Sequence, residues 1–115
     1  MDMDIEVAEQ RSAGALVLLP TGRLDSNNAR SFESIVMTHV SNGEKSLIID
    51  FSRLEFISSS GIRVLLIAAK ALKAAQGILV LCSMKRHIEE VFRISGFDRI
   101  IPIKDSREAA LVVAS

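Results

Sequence analysis

Apolar and polar positions recur along the chain with two different periods, which predicts an alternation of strands and helices. Short alternating or continuous apolar runs predict five strands, at residues 5–10, 15–19, 46–51, 78–82 and 100–103. Apolar residues spaced three and four apart predict four helices, at about residues 28–39, 60–76, 84–95 and from 105 or 106 onward. The element order is therefore ββαβαβαβα.

This order predicts a single α/β domain over residues 1–115, with helices packed on a mixed, mostly parallel sheet of about four or five strands. The first strand is expected to be antiparallel at one edge, because Ser12-Ala13-Gly14 suits a hairpin turn. Loops that follow parallel strands share one edge of a sheet. We therefore expect Asp25, Ser58–Ser60 and Ser83–His87 to lie near one another.

Two glycines stand where predicted helices end. Gly77 follows the second helix and Gly96 follows the third, the usual place for a left-handed residue. At the start of the last helix, Asp105 and Glu108 have the spacing of a capping box. The third helix is expected to bury four apolar side chains, those of Ile88, Val91, Phe92 and Ile94.

Three consecutive serines, Ser58–Ser60, separate a strand exit from the apolar second helix. Serine is a favoured N-cap, so capping alone explains one of the three. A phosphate at this point would meet unpaired backbone N–H groups and the positive end of the helix dipole. Gly61 follows with no side chain to block approach. Three hydroxyls here therefore favour a site of phosphorylation that changes the surface charge in one step.

The second helix carries an apolar line beyond its core stripe. This line consists of Val64, Ile67, Ala68 and Ala71. Burial of both lines is the simpler interpretation, and a partner-binding face at Ile67 is the alternative. Lys85-Arg86-His87 forms a cationic cluster, which is either a solvated face or a surface that steers a phosphate or an acidic partner.

Composition excludes several classes of function. The chain has 14 basic and 14 acidic side chains, so no net field attracts nucleic acid or an anionic membrane. It has no Trp or Tyr for stacking bases. Cys82 is the single cysteine, and His39 and His87 lack ligand spacing, so we expect no metal and no cofactor.

Catalysis and membrane insertion are also not expected. The serine segment lacks the first glycine of a Gly-x-Ser-x-Gly nucleophile elbow, so we assign no catalytic residue and no enzymatic activity. The acidic start at residues 1–4 does not match a secretion signal. No apolar run approaches the ~20 residues of a membrane helix. We therefore expect a cytoplasmic protein without a membrane partner.

Several segments together resemble the STAS-domain anti-sigma-factor antagonists of bacteria. The most specific is Phe56–Leu65, which contains the serines. The others are Gly22–Asp25, Ile48–Phe51, Gly77–Cys82 and Val91–Asp98. In that family the central block commonly reads Asp-Ser-Ser-Gly or Asp-Ser-Thr-Gly, and the serine after the Asp is phosphorylated. The resemblance implies a non-enzymatic binding module with the α/β fold derived above.

Carried over by position, the resemblance assigns a role to each residue of the serine block. Ser58 stands where the family has Asp, and Ser59 is the phosphoacceptor. The missing Asp removes a fixed negative charge and makes Ser58 the second choice of acceptor. Asp25 is implied to border the phosphoserine and contact the kinase. The expected partner-binding residues are Asp25, Ser58, Ser60, Gly61, Arg63 and Ile67.

The resemblance also implies the partners. In its unphosphorylated form the protein would bind an anti-sigma factor that is also a GHKL-type serine kinase, and so release the sigma factor for transcription. Phosphorylation would end this binding, and a PP2C-type phosphatase would reset the protein. A different partner-switching output is one alternative. A STAS domain that binds a nucleotide or lipid is another, ranked lower because the chain has no P-loop signature.

Overall fold

The computed structural model describes residues 4–114, which form seven strands and four α-helices. The strands are β1 Val7–Ser12, β2 Ala15–Pro20, β3 Gly22–Leu24, β4 Ser46–Asp50, β5 Leu54–Ile57, β6 Ile78–Cys82 and β7 Ile103–Lys104. The helices are α1 Ala29–Ser41, α2 Ser59–Ala74, α3 Arg86–Ser95 and α4 Arg107–Ala114, with a 3₁₀ turn at Phe97–Arg99.

Five of the strands form the main sheet in the order β1-β2-β4-β6-β7. β1 is antiparallel to β2 at one edge, and the other neighbours are parallel. Ala13 and Gly14 both have positive φ, 50° and 84°, as a two-residue hairpin turn requires. The mixed sheet, the antiparallel edge and the hairpin confirm the sequence predictions.

Both faces of the main sheet are covered, and this explains why its central strands are apolar over most of their length. One face packs against α1, α2 and α3, with Phe32, Leu65 and Phe92 fully buried. The other face packs against α4 through Ala110 and Ala114. Consecutive strand residues point to opposite faces, so Ile49 belongs to the first core and Ile48 to the second.

Two short strands were not predicted. β3 and β5 run parallel and form a separate two-stranded sheet, in which Arg23 is opposite Phe56 and Leu24 is opposite Ile57. Strands of three and four residues are too short to show a period, so the pattern of the sequence does not reveal them. Their pairing brings the segment before Asp25 beside the segment before Ser58.

Two of the four side chains predicted to be buried on α3 are exposed. Ile88 and Phe92 are buried, but Val91 is 44% exposed and Ile94 is 82% exposed. Residues 88 and 92 lie one turn apart on a single row, and α3 contacts the core only along this row. The prediction for Val91 and Ile94 was therefore wrong.

The ends of two helices also differ from the prediction. Gln76, not Gly77, is the left-handed residue after α2, with φ 63°. Gly77 is required for a different reason, since a Cβ there would lie 2.6 Å from the backbone oxygen of Lys45. At α4 the predicted capping box is replaced by Ser106, whose Oγ accepts from the Ala109 N–H at 3.1 Å. Gly96 has φ 82° and ends α3 as predicted.

A buried carboxylate connects α4 to the main sheet. Asp50 is 4% exposed and accepts a hydrogen bond from the Ser52 N–H at 2.8 Å. Its other oxygen accepts from Nε and Nη2 of Arg107, at 3.2 and 3.1 Å. Arg107 also donates to Gln10 at 2.6 Å. This arrangement pairs the charge of Asp50 and satisfies both of its oxygens.

Other features bear on the chemistry of the chain. Cys82 is buried, and burial raises the pKa of its thiol, so the unreactive protonated form is favoured. Residues 4–114 contain no group of three or more His, Cys, Asp or Glu side chains that could hold a metal ion. In the same residues, no helix is long and apolar enough to cross a membrane.

Candidate functional site

The three serines occupy different positions at the start of α2. Ser58 is the N-cap, with extended backbone, and its Oγ accepts a hydrogen bond from the Gly61 N–H at 3.3 Å. Ser59 is the first helical residue and is exposed, whereas Ser60 is partly buried. The capping role therefore falls on Ser58, and the hydroxyl of Ser59 is left accessible.

Replacing Ser58 by alanine is expected to lower the free energy of unfolding by about 1 kcal/mol, because the cap hydrogen bond is lost. Ser58→Asp should retain the wild-type stability, since aspartate caps equally well and interacts favourably with the helix dipole. Urea denaturation measures the free energy of unfolding of both variants. Ser60→Ala is the control, and a loss for Ser60→Ala that matches the loss for Ser58→Ala would contradict the assignment of the cap.

Gly61 has a packing role. It is buried, and a Cβ at this position would lie 2.8 Å from Ile57 Cγ1 and 2.8 Å from Leu24 Cγ. The missing side chain therefore allows the small β3–β5 sheet to pack closely against the start of α2. The structure thus adds a packing role for Gly61, and its contact with a partner stays a prediction.

The β3–β5 pairing holds Asp25 beside the serines. The Ser58 N–H donates to the Leu24 oxygen at 2.8 Å, and Asp25 follows Leu24 directly. Asp25 Oδ1 accepts from the Asn27 N–H at 2.9 Å, and the Asp25 N–H donates to Asn28 Oδ1 at 2.9 Å. Asp25 is thus fixed within its own turn, next to the start of α2.

Two clefts flank the first turns of α2. The first, which we call the notch, is lined by Ser59, Ile62, Arg63, Leu66 and Phe97. The second, which we call the groove, lies between α1 and α2. It is lined by Ser26, Ala29, Arg30, Glu33, Ser60, Arg63, Val64 and Ile67. Ser59 and Ser60 therefore border different clefts, and Arg63 borders both.

The second apolar line of α2 is only half buried. Val64 and Ala68 are 3% and 0% exposed, as the simpler interpretation predicts. Ile67 and Ala71 are partly exposed, and Ile67 lies at the rim of the groove. The apolar surface available beside the serines is therefore smaller than the whole line, and Ile67 belongs to it.

The sequence analysis missed Leu66 and Phe97 as site residues. The pattern of the sequence assigned neither residue to the site. In the structure both are partly buried and line the notch. Leu66 lies seven residues after Ser59, two turns along the same face, and this spacing is the signal that could have identified it.

The cationic cluster contacts the strand that leads to the serines, and the loop before that strand. Lys85 Nζ donates to the Ser52 oxygen at 2.9 Å and lies 3.4 Å from Glu55 Oε1. His87 Nε2 lies 2.7 Å from the Glu55 backbone oxygen. These bonds connect the start of α3 to β5 and the loop before it. Asp25 therefore lies beside the serines, and Lys85 and His87 contact β5, which leads to the serines, and the loop before it.

The fold and the position of the serines agree with a direct family match. The STAS domain family model matches residues 4–110. The chain belongs to the STAS domain family. The resemblance predicted from the sequence is thus confirmed.

Relatives of this STAS domain carry regulatory names. BtrV of Bordetella bronchiseptica, which bears the provisional name anti-sigma factor antagonist, is 46% identical over 97 residues, covering 84% of each chain. The anti-sigma-B factor antagonist of Listeria monocytogenes is 27% identical over 105 residues, covering 91% of each chain. The family and the names of these relatives agree with the class of protein predicted from the sequence.

Solved structures show the same STAS fold. An anti-sigma factor antagonist, provisionally so named, from Thermotoga maritima superposes with a TM-score of 0.89 at 23% identity, over 94% of this chain and 93% of that chain. SpoIIAA in its unphosphorylated form gives a TM-score of 0.71 at 21% identity, over 94% of both chains. The phosphorylated form of Bacillus SpoIIAA also gives 0.71, at 22% identity, over 96% of this chain and 99% of that chain.

Proposed function

We propose that this STAS domain is an anti-sigma-factor antagonist switched by phosphorylation of Ser59. Without the phosphate it binds an anti-sigma factor that is a GHKL-type serine kinase, and the sigma factor is released. With the phosphate it dissociates, and a PP2C-type phosphatase restores the binding form. The observation that carries the proposal is the exposed hydroxyl of Ser59 at the first position of α2, beside the capping Ser58.

The contrast between neighbouring serines supports Ser59 as the acceptor. The hydroxyl of Ser58 is partly buried and accepts from the Gly61 N–H, so modification there would remove the helix cap. Ser60 is partly buried at the edge of the groove. Ser59 is exposed, and a phosphate on it would disturb no hydrogen bond of the cap. A kinase therefore reaches Ser59 at the smallest cost to the fold.

The phosphate is compatible with the folded protein and unfavourable for the bound partner. It adds a charge of roughly −1.5 to −2, which the helix N-terminus and Arg63 can accommodate. At an interface, the same charge would face a partner carboxylate or be buried without a counter-ion, either of which costs several kcal/mol. About 1.4 kcal/mol changes affinity tenfold, so one phosphate is sufficient to separate the complex.

The surface around Ser59 supplies the partner contacts in this proposal. Asp25 and Ser58 form its β3–β5 side, and Ser60, Arg63 and Ile67 form its α1 side. On the opposite side, Ile62, Leu66 and Phe97 offer an apolar notch. A surface that combines an apolar pocket with polar side chains is typical of protein interfaces.

Phosphorylation of the purified protein tests the proposal. Incubation with its cognate kinase and ATP, followed by peptide mass spectrometry, should place one phosphate on Ser59, and treatment with a PP2C-type phosphatase should remove it. Ser59→Ala should accept no phosphate, whereas Ser34→Ala, which changes an exposed serine on α1, should be phosphorylated like the wild type. A phosphate on Ser58 in the wild type would refute the assignment to Ser59.

Introducing a charge at Ile67 tests the groove as a contact surface. Ile67→Glu is expected to weaken binding of the kinase at least about tenfold, because a carboxylate would replace partly exposed apolar surface at the interface. Calorimetric titration measures the affinity, and thermal unfolding checks the fold. Ala74→Glu places the same charge on exposed surface at the far end of α2 and should bind normally.

Two results would contradict this role of Ile67. Normal binding by Ile67→Glu would exclude it from the interface. Loss of binding together with loss of the folded state would instead support burial of the second apolar line, the simpler interpretation of the sequence.

A further inference from the structure

Arg63 lies on the ridge between the two clefts that flank α2. It is exposed, and it lines both the notch and the groove. It follows Ser59 by four residues, so the two side chains lie one turn apart on the same helix face. Any partner that covers Ser59 therefore reaches Arg63 as well.

Among the described residues, Arg63 differs from Arg23 and Lys85 in having no acidic partner. Arg23 lies 3.7 Å from Asp25 and stacks on Phe56, with Cζ 4.2 Å from the ring centre. Lys85 pairs with Glu55. Within residues 4–114, no carboxylate forms an ion pair with Arg63, although Glu33 lines the same groove. Its guanidinium is therefore available to a new anion.

We propose that Arg63 is an exchangeable counter-ion, bound to a carboxylate of the partner when Ser59 is bare and to the phosphate when Ser59 is modified. This inference rests on the proposed function and deepens it. In this mechanism the phosphate acts twice. It introduces negative charge at the interface, and it withdraws from the partner the cation that the partner needs.

The chemistry of the pair favours this exchange. A guanidinium binds a carboxylate or a phosphate through two parallel hydrogen bonds, so one side chain suits both anions. The phosphate on Ser59 would carry the larger charge and would be tethered one turn away, whereas the partner carboxylate must be brought from solution. Once the phosphate is present, Arg63 therefore pairs with it and no longer with the partner carboxylate.

A double-mutant cycle separates exchange from simple repulsion. Affinity for the kinase is measured for four proteins: wild type and Arg63→Gln, each with bare Ser59 and with phosphoserine installed at position 59 during synthesis. Exchange predicts that Arg63→Gln weakens the bare form about tenfold. The same change should alter the weak binding of the phosphorylated form less than about twofold, because Arg63 is already withdrawn there.

One control variant and three contrary results complete the test of the exchange. Lys70→Gln removes an exposed cation further along α2, and it should bind like the wild type both with bare Ser59 and with phosphoserine. An equal loss in both forms would overturn the exchange, since Arg63 would then contact the partner regardless of the phosphate. A larger loss in the phosphorylated form would also overturn it, because Arg63 would then only shield the phosphate. Unchanged affinities of both forms of Arg63→Gln would overturn it as well.

A measurement without the kinase keeps this inference distinguishable from the proposed function. Titration of the installed phosphoserine followed by ³¹P NMR should give a lower second pKa in the wild type than in Arg63→Gln, with Lys70→Gln matching the wild type. Equal pKa values in all three would overturn the exchange and leave the proposed function standing. Absence of kinase action on Ser59 would overturn the proposed function, and the exchange with it.

Discussion

Ser59→Asp is expected to bind the cognate anti-sigma kinase at least about a hundredfold more weakly than Ser59→Ala. The aspartate places one negative charge where the first turn of α2 is exposed, at the centre of the proposed contact surface. Phosphoserine carries a larger charge, so its effect should be greater still. Ser59→Ala should bind at least as tightly as the wild type, because it can never be modified. Calorimetric or interferometric titration gives the dissociation constants of these complexes.

The control for this effect is an equal charge elsewhere on the surface. Ser34 is exposed on α1, and Ser34→Asp should bind like the wild type. Circular dichroism and thermal unfolding should be unchanged for all three variants. If Ser59→Asp binds as tightly as Ser59→Ala, negative charge at this position does not control docking.

Asp50→Ala is expected to lower the free energy of unfolding by about 3 kcal/mol. The change leaves the partly buried guanidinium of Arg107 without its carboxylate and the Ser52 N–H without an acceptor. For a domain of this size the midpoint of thermal unfolding should fall by more than about 10 °C. Urea denaturation and calorimetry measure the two quantities.

The matched control is the exposed carboxylate of Asp105, whose replacement by alanine should cost less than about 0.5 kcal/mol. Arg107→Ala in the background of Asp50→Ala should cost less than the same change in the wild type, because the two side chains act as a pair. Additive losses, or a loss for Asp50→Ala no larger than that of Asp105→Ala, would show that the pair does not connect α4 to the sheet.

Much of the fold follows from local patterns that depend on few long-range contacts. The positive-φ positions Ala13 and Gly14 form the hairpin that the sequence predicts, and Gly96 ends α3 as predicted. The apolar runs of β4 and β6 predicted strands, and both faces of these strands are covered, with α4 on the second face. In each case, turn chemistry or periodicity within a short segment carries the information.

The candidate site could be predicted only in part. The serine block and its order relative to α2 could be read from the sequence, and the family motif led to the prediction that Ser59 is the phosphoacceptor. The sequence did not show which serine caps the helix, because Ser58, Ser59 and Ser60 have the same capping ability. Nor did it show that Ser59 and Ser60 border different clefts, which depends on the packing of α1 and Phe97 against α2.

By itself, then, the sequence determined the order of the helices and the main-sheet strands, the family and the chemistry offered at the start of α2, because these depend on residue type and local spacing. Tertiary structure alone decided the rest. The β3–β5 pairing brings Asp25 to the serines, and close packing gives Gly61 and Gly77 their roles. The orientation of α3 leaves Val91 and Ile94 exposed. The physical reason is that such contacts join residues far apart in the chain, and no local period encodes which surfaces will meet.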